Sequence, residues 1–75
     1  MRELLEYIVK SIVAEPDKVN ITEENSDAGL LIKLEVAPED KGRVIGKQGR
    51  VAEAMRTLLR VKAAKDDIRV RLEIL

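Results

Sequence analysis

The run Val44-Ile45-Gly46-Lys47-Gln48-Gly49-Arg50 is the part of this 75-residue chain best suited to do chemistry. Two glycines bracket a polar, basic pair. Glycine at both ends lets the chain turn with positive φ, and the missing Cβ lets a ligand backbone approach the main chain closely. A helix opening directly after the loop would add free N–H groups and the positive end of its dipole, both favourable to phosphate. Lys47 supplies a mobile positive charge, and Gln48 supplies donors and an acceptor. Arg43 before the loop and Arg50 after it extend the positive region. Such a segment suits a sugar–phosphate backbone lying along a groove between two helices. It is not a nucleotide-binding P-loop. In Gly42-Arg43-Val44-Ile45-Gly46-Lys47-Gln48, three residues separate the glycines where that motif needs four. Gln48 also stands where Ser or Thr would hold magnesium.

Composition narrows the classes of function. The chain has no Cys and no His, which leaves no thiol nucleophile, no disulfide frame and no imidazole for acid–base work near neutrality. No tight carboxylate cluster stands beside the loop in sequence, so a nuclease or phosphotransferase lacks a base or metal site, and no cofactor is expected. Tyr7 is the only aromatic residue, so side-chain stacking platforms for bases are excluded. No apolar run approaches the length of a membrane span, and Glu6 and Lys10 interrupt the first apolar stretch. Neither a secretory signal nor a membrane association is expected, and the default compartment is the cytoplasm.

The formal net charge of zero hides a division. Residues 1–40 hold four cations against ten anions, whereas residues 41–75 hold ten against four. An acidic half and a basic half in one small unit point to an oriented interaction with an anion.

The elements that must position the loop follow from periodicity. Residues Arg2 to Ala14 place Leu4, Leu5, Ile8, Val9, Ile12 and Val13 on one side of a helix, and Pro16 closes it. Val19–Thr22 reads as a short strand, Glu24–Gly29 as a loop, and Leu30–Val36 as a second strand paired with the first as a hairpin. Pro38 opens a helix of about two turns that the glycines interrupt. A longer helix runs from Arg50 to about Ala64, with Val51, Ala54, Met55, Leu58 and Leu59 on its apolar side. Ile68, Val70, Leu72 and Ile74 alternate with polar residues in a last strand. Two helices between the second and third strands form a crossover, so those strands should be parallel. The expected fold is one α+β domain over residues 1–75. Its order is α-β-β-α-α-β, in two layers, with three helices on one face of a three-stranded mixed sheet.

The string Gly42-Arg43-Val44-Ile45-Gly46-Lys47-Gln48-Gly49-Arg50, set in that order of elements, resembles a K homology (KH) domain of type II topology. The length and near-absence of extensions resemble the small bacterial KhpA family, and the resemblance covers essentially the whole chain. It implies single-stranded RNA as partner, with Gly46, Lys47, Gln48 and Gly49 clamping about four nucleotides. Ile45 and Val51 would help form the apolar floor under the bases, with Ile32 or Leu34 on the strand side. The resemblance also implies self-association, a KhpB (Jag/EloR)-type partner, and roles in RNA chaperoning and cell-shape control.

Other features have plainer readings. Arg56, Arg60, Lys62 and Lys65 read as the solvated face of the long helix in preference to an extended phosphate track. Arg69 and Arg71 read as surface charges of the last strand. Val61 is either core edge or partner surface. The four-residue spacing of Gly42 from Gly46 would allow close helix packing.

Overall fold

The computed structural model describes residues 2–75; Met1, the first residue of the expected 1–75 unit, lies outside them. Helix α1 spans Arg2–Ile12 and buries Leu5 and Val9 completely, with Ile8 and Ile12 packed beside them. Leu4 lies at the margin and stays exposed, so the buried stripe is narrower than its apolar periodicity. The helix ends two residues before the expected Ala14. Pro16 restricts Glu15, and the buried Asp40 carboxylate takes the N–H groups of Ala14 and Glu15, each at 3.0 Å.

Strands β1 (Asn20–Ser26) and β2 (Gly29–Glu35) form an antiparallel hairpin in the register Ile21↔Leu34 through Ser26↔Gly29. The expected loop at 24–29 is therefore only a two-residue turn, Asp27-Ala28. Main-chain pairing with β2 carries β1 past its last buried residue, Ile21, although Glu23, Glu24 and Asn25 are exposed. The Ser26 hydroxyl ties the turn, donating to the Gly29 carbonyl and accepting from the Ala28 N–H.

A 3-10 turn at Pro38–Asp40 leads into α2 (Lys41–Ile45), together about two turns. A second 3-10 turn, Lys47–Gly49, opens α3 (Arg50–Lys65), and β3 (Val70–Ile74) closes the fold. The sheet order is β1-β2-β3, with β3 parallel to β2 as the helical crossover requires. Ile32 and Leu34 on the central strand face α1, α2 and α3 and are fully buried with Leu5, Val9, Val44 and Leu59. Met55 belongs to the same core, and Leu72 joins it from β3. Gly42 is exposed and a Cβ there would meet nothing, so it makes no close helix packing.

Candidate nucleic-acid interface

The link between α2 and α3 is a bare, sharply bent piece of main chain. Gly46 (φ 76°, ψ 173°), Gln48 (φ 58°, ψ 25°) and Gly49 (φ 74°, ψ 14°) all adopt positive φ, and a Gly49 N–H to Gly46 carbonyl bond of 3.1 Å closes the bend. Only glycine enters this region without steric cost, so Gln48 is held there under local strain. Lys47 and Gln48 project into solvent, as do Arg43 and Arg50 on either side. The Arg50 guanidinium donates to the Gln48 amide oxygen at 3.3 Å, which steadies the loop tip. Val51 lies under the loop, half-buried against Gly46 and the core.

A groove of about 780 Å³ opens beside this bend, between α3 and β3. Ile45, Gly49, Ala52 and Leu59 line it from the helical side, and Val70, Leu72 and Ile74 from the strand side. Ile32 and Leu34, expected on the strand side, are fully buried in the sheet centre and cannot reach it. The strand wall is β3, because the sheet order makes β3 an edge. The Leu30 N–H bonds the Arg69 carbonyl and the Leu75 N–H bonds the Leu34 carbonyl, so residues 69, 71, 73 and 75 point their main-chain groups at β2. By alternation, the N–H and C=O groups of Val70, Leu72 and Ile74 face outward, free to bond a ligand.

Sequence reasoning set three cations of this groove aside as surface charges. Arg56, Arg60 and Arg71 line it, together with Glu53 and Glu73. Helical spacing places Arg56 and Arg60 away from Val51 and Met55, but it does not show that β3 stands beside that flank.

At the start of α2, Asp40, whose side chain is 1% exposed, ties this helix to the end of α1. Besides the Ala14 and Glu15 N–H groups, it faces Nε of Arg43 at 3.5 Å. The Ala14 N–H bond, opposed by burial and reinforced by the Glu15 N–H and Arg43, holds the Asp40 carboxyl below the usual carboxylate range. Nearby, a hydrogen bond shared with Glu39 pushes Glu15 above that range, against the pull of Lys18. Among the described residues, no group of three or more His, Cys, Asp or Glu could hold a metal ion, and no helix is long and apolar enough to cross a membrane.

A β-α-α-β unit with a Gly-x-x-Gly bend between its helices, preceded by a helix and a strand, defines a K homology domain of type II topology. The sequence profile of the KhpA/KhpB KH domain matches residues 2–74, and the chain belongs to that family. It is 48% identical to the RNA-binding protein KhpA of Clostridium acetobutylicum over the full length of both chains. It is 52% identical to RNA-binding protein KhpA of Listeria monocytogenes, over all of this chain and 99% of the relative. Against the protein of the same name from Chlamydia trachomatis it is 43% identical, over all of this chain and 96% of the relative. No solved structure matches the chain significantly.

Proposed function

We propose that the chain is a non-catalytic single-stranded RNA-binding protein in which Gly46, Lys47, Gln48 and Gly49 hold the phosphate backbone. The observation that carries this reading is the bare bend with three positive φ values, opening directly onto an apolar-floored groove with a basic rim. Phosphates would meet the N–H groups of Lys47 and Gln48, which the bend's own hydrogen bonds leave unused, and the side chains of Lys47, Arg43 and Arg50. Bases would lie over Ile45, with Val51 supporting the floor from beneath, and would bond the free edge of β3. Without aromatic residues in the groove, stacking contributes little, so one site binds weakly and salt weakens it further.

Weak single sites gain from being joined. On the solvent side of α3, Leu58 and Val61 are 48% and 56% exposed and, with Ala54, form a stripe at helical spacing. This stripe favours self-association, or docking of a KhpB (Jag/EloR)-type partner, through α3. In line with the family resemblance, the protein would act in the cytoplasm as an RNA chaperone or regulator linked to cell-shape control. The same stripe favours a second reading, a KH-fold interaction domain or scaffold with little RNA binding.

Ultraviolet crosslinking to cellular RNA, with the wild type beside a Lys47→Asp/Gln48→Asp double variant, separates the two readings. Loss of crosslinking with an unchanged circular dichroism spectrum supports the clamp, and undiminished crosslinking refutes it. A wild type that crosslinks to nothing yet self-associates favours the scaffold.

A further inference from the structure

On the groove wall, Glu53 and Arg56 stand one turn apart on α3 and touch, with Nη1 of Arg56 3.3 Å from Oε1 of Glu53. The Arg56 side chain is 32% exposed, against 62% for Glu53, so it is partly covered where it lines the groove, and its guanidinium is restrained by the bond to Glu53. A planar fork restrained in this way loses little freedom when it bonds a planar ligand edge. Phosphate contacts have their own groups at the bend, Lys47 and Arg50, whereas this pair lies beside the apolar lining where bases would rest.

The pair has a definite donor and acceptor pattern. One carboxylate oxygen of Glu53 is engaged by Arg56, leaving the other as an acceptor. Arg56 keeps several N–H donors in a fixed plane. One acceptor beside two donors complements a base edge with one donor beside two acceptors. Among the four RNA bases, that is the Watson–Crick edge of cytosine. Its exocyclic amino group would donate to Glu53, and its ring nitrogen N3 and carbonyl O2 would accept from Arg56. Uracil has the same size, but it turns a carbonyl oxygen toward the carboxylate and an N–H toward the guanidinium. Guanine presents two donors and one acceptor, so one donor goes unmet. Adenine offers a single acceptor on that edge.

We infer that Glu53 and Arg56 together are a base-reading element that selects cytosine over uracil in the groove. This inference rests on the proposed RNA-binding reading and adds its base specificity.

The test is a fluorescence anisotropy titration of the full chain at fixed salt. The probes are unstructured single-stranded RNAs of about ten nucleotides, identical except for cytosine, uracil, adenine or guanine at the central positions. Cytosine should bind on the order of tenfold tighter than uracil, the usual scale for a matched two-bond contact. In Glu53→Gln and in Arg56→Lys, the cytosine affinity should fall until the two pyrimidines differ by less than about twofold. Arg56→Lys is decisive because it keeps the charge and removes the fork: a residue that only neutralises phosphate would leave the ratio unchanged. Equal pyrimidine affinities in the wild type, preference for another base, or a cytosine preference surviving both substitutions would each overturn the inference. If all four RNAs bind equally, and all are lost in the Lys47→Asp/Gln48→Asp variant, the base-reading element fails while RNA binding stands. If none binds, both readings fail together.

Discussion

A Cβ added at Gly46 would stand 2.8 Å from Cβ of Val51 and 2.9 Å from its backbone nitrogen, whereas one added at Gly49 would meet nothing. The two glycines of the bend are therefore required for different reasons. Gly46 is pressed against the first turn of α3, and Gly49 keeps the outer surface of the bend bare. Gly46→Ala combines a steric clash with a positive φ and should cost about 2–4 kcal/mol in urea denaturation. Gly49→Ala should cost only about 1 kcal/mol, from the positive φ alone. It should nevertheless weaken RNA binding measured by anisotropy, because the added methyl stands where the sugar–phosphate chain would pass.

Gln48 stores strain at the tip of the same bend. Its left-handed conformation is one that glycine adopts freely, while glycine gains more freedom in the unfolded chain. Gln48→Gly should therefore leave stability unchanged or raise it by up to about 1 kcal/mol. It should lower RNA affinity, since the side chain that engages Arg50 is gone. Thermal denaturation and an RNA titration on one preparation would check both parts.

The groove arginines should be visible in the salt dependence. If Arg60 and Arg71 neutralise phosphates, each change to Gln should reduce the slope of log affinity against log salt by about 0.7. Titrations at several salt concentrations would measure this. An unchanged slope would show that neither side chain contacts phosphate.

Asp40, bonded to the main chain after α1, makes the fold sensitive to acid. Its carboxyl is held below its ordinary value of 3.8 in the folded chain, so its contribution is present above that value and lost as pH falls through the folded value. Asp40→Asn keeps one acceptor for the two N–H groups but loses the charge. At pH 7 its melting temperature should lie several degrees below the wild type. Below about pH 3.8, the fall in stability with acid should be shallower in the variant. Melting curves from pH 2 to 7 for both proteins would show whether the difference narrows there.

Val61→Glu would place a charge in the exposed stripe of α3. Sedimentation of the variant should show less self-association than the wild type, while binding to a short RNA carrying one site should be unaffected. Equal sedimentation would remove α3 as the seam.

Much of the fold was legible because it rests on local signals. Alternation along Leu30–Val36 and Ile68–Ile74, the Pro16 and Pro38 breaks, and a crossover of two helices were enough for the element order and the parallel pairing of β2 with β3. The length of β1 was not legible, since its outer half is held by main-chain bonds to β2 and carries no apolar signal. The bend itself was visible through its glycines. Its strand-side wall was not: alternation tells which face of a strand is buried, but not which strand lies at the sheet edge. For that reason Ile32 and Leu34 looked available, and Val70 and Ile74 did not. Arg56 and Arg60 were hidden likewise, because helical spacing marks a flank as polar without showing what stands across from it.

The balanced charge of the chain has a further consequence once its layout is known. Strand β1, carrying Glu23 and Glu24, lies at one edge of the sheet, and the groove at the other edge holds Arg56, Arg60 and Arg71 against Glu53 and Glu73, so the two edges differ in sign in a molecule with no net charge. A polycation adheres to any nucleic acid it encounters, whereas a neutral molecule with two unlike ends feels a weaker attraction that depends on its orientation. Such a molecule would drift past most cellular polyanions and be retained only where it arrives with the arginine-lined end leading. Its two ends would also let it adhere to both anion- and cation-exchange resins, despite a sequence isoelectric point near 6.3.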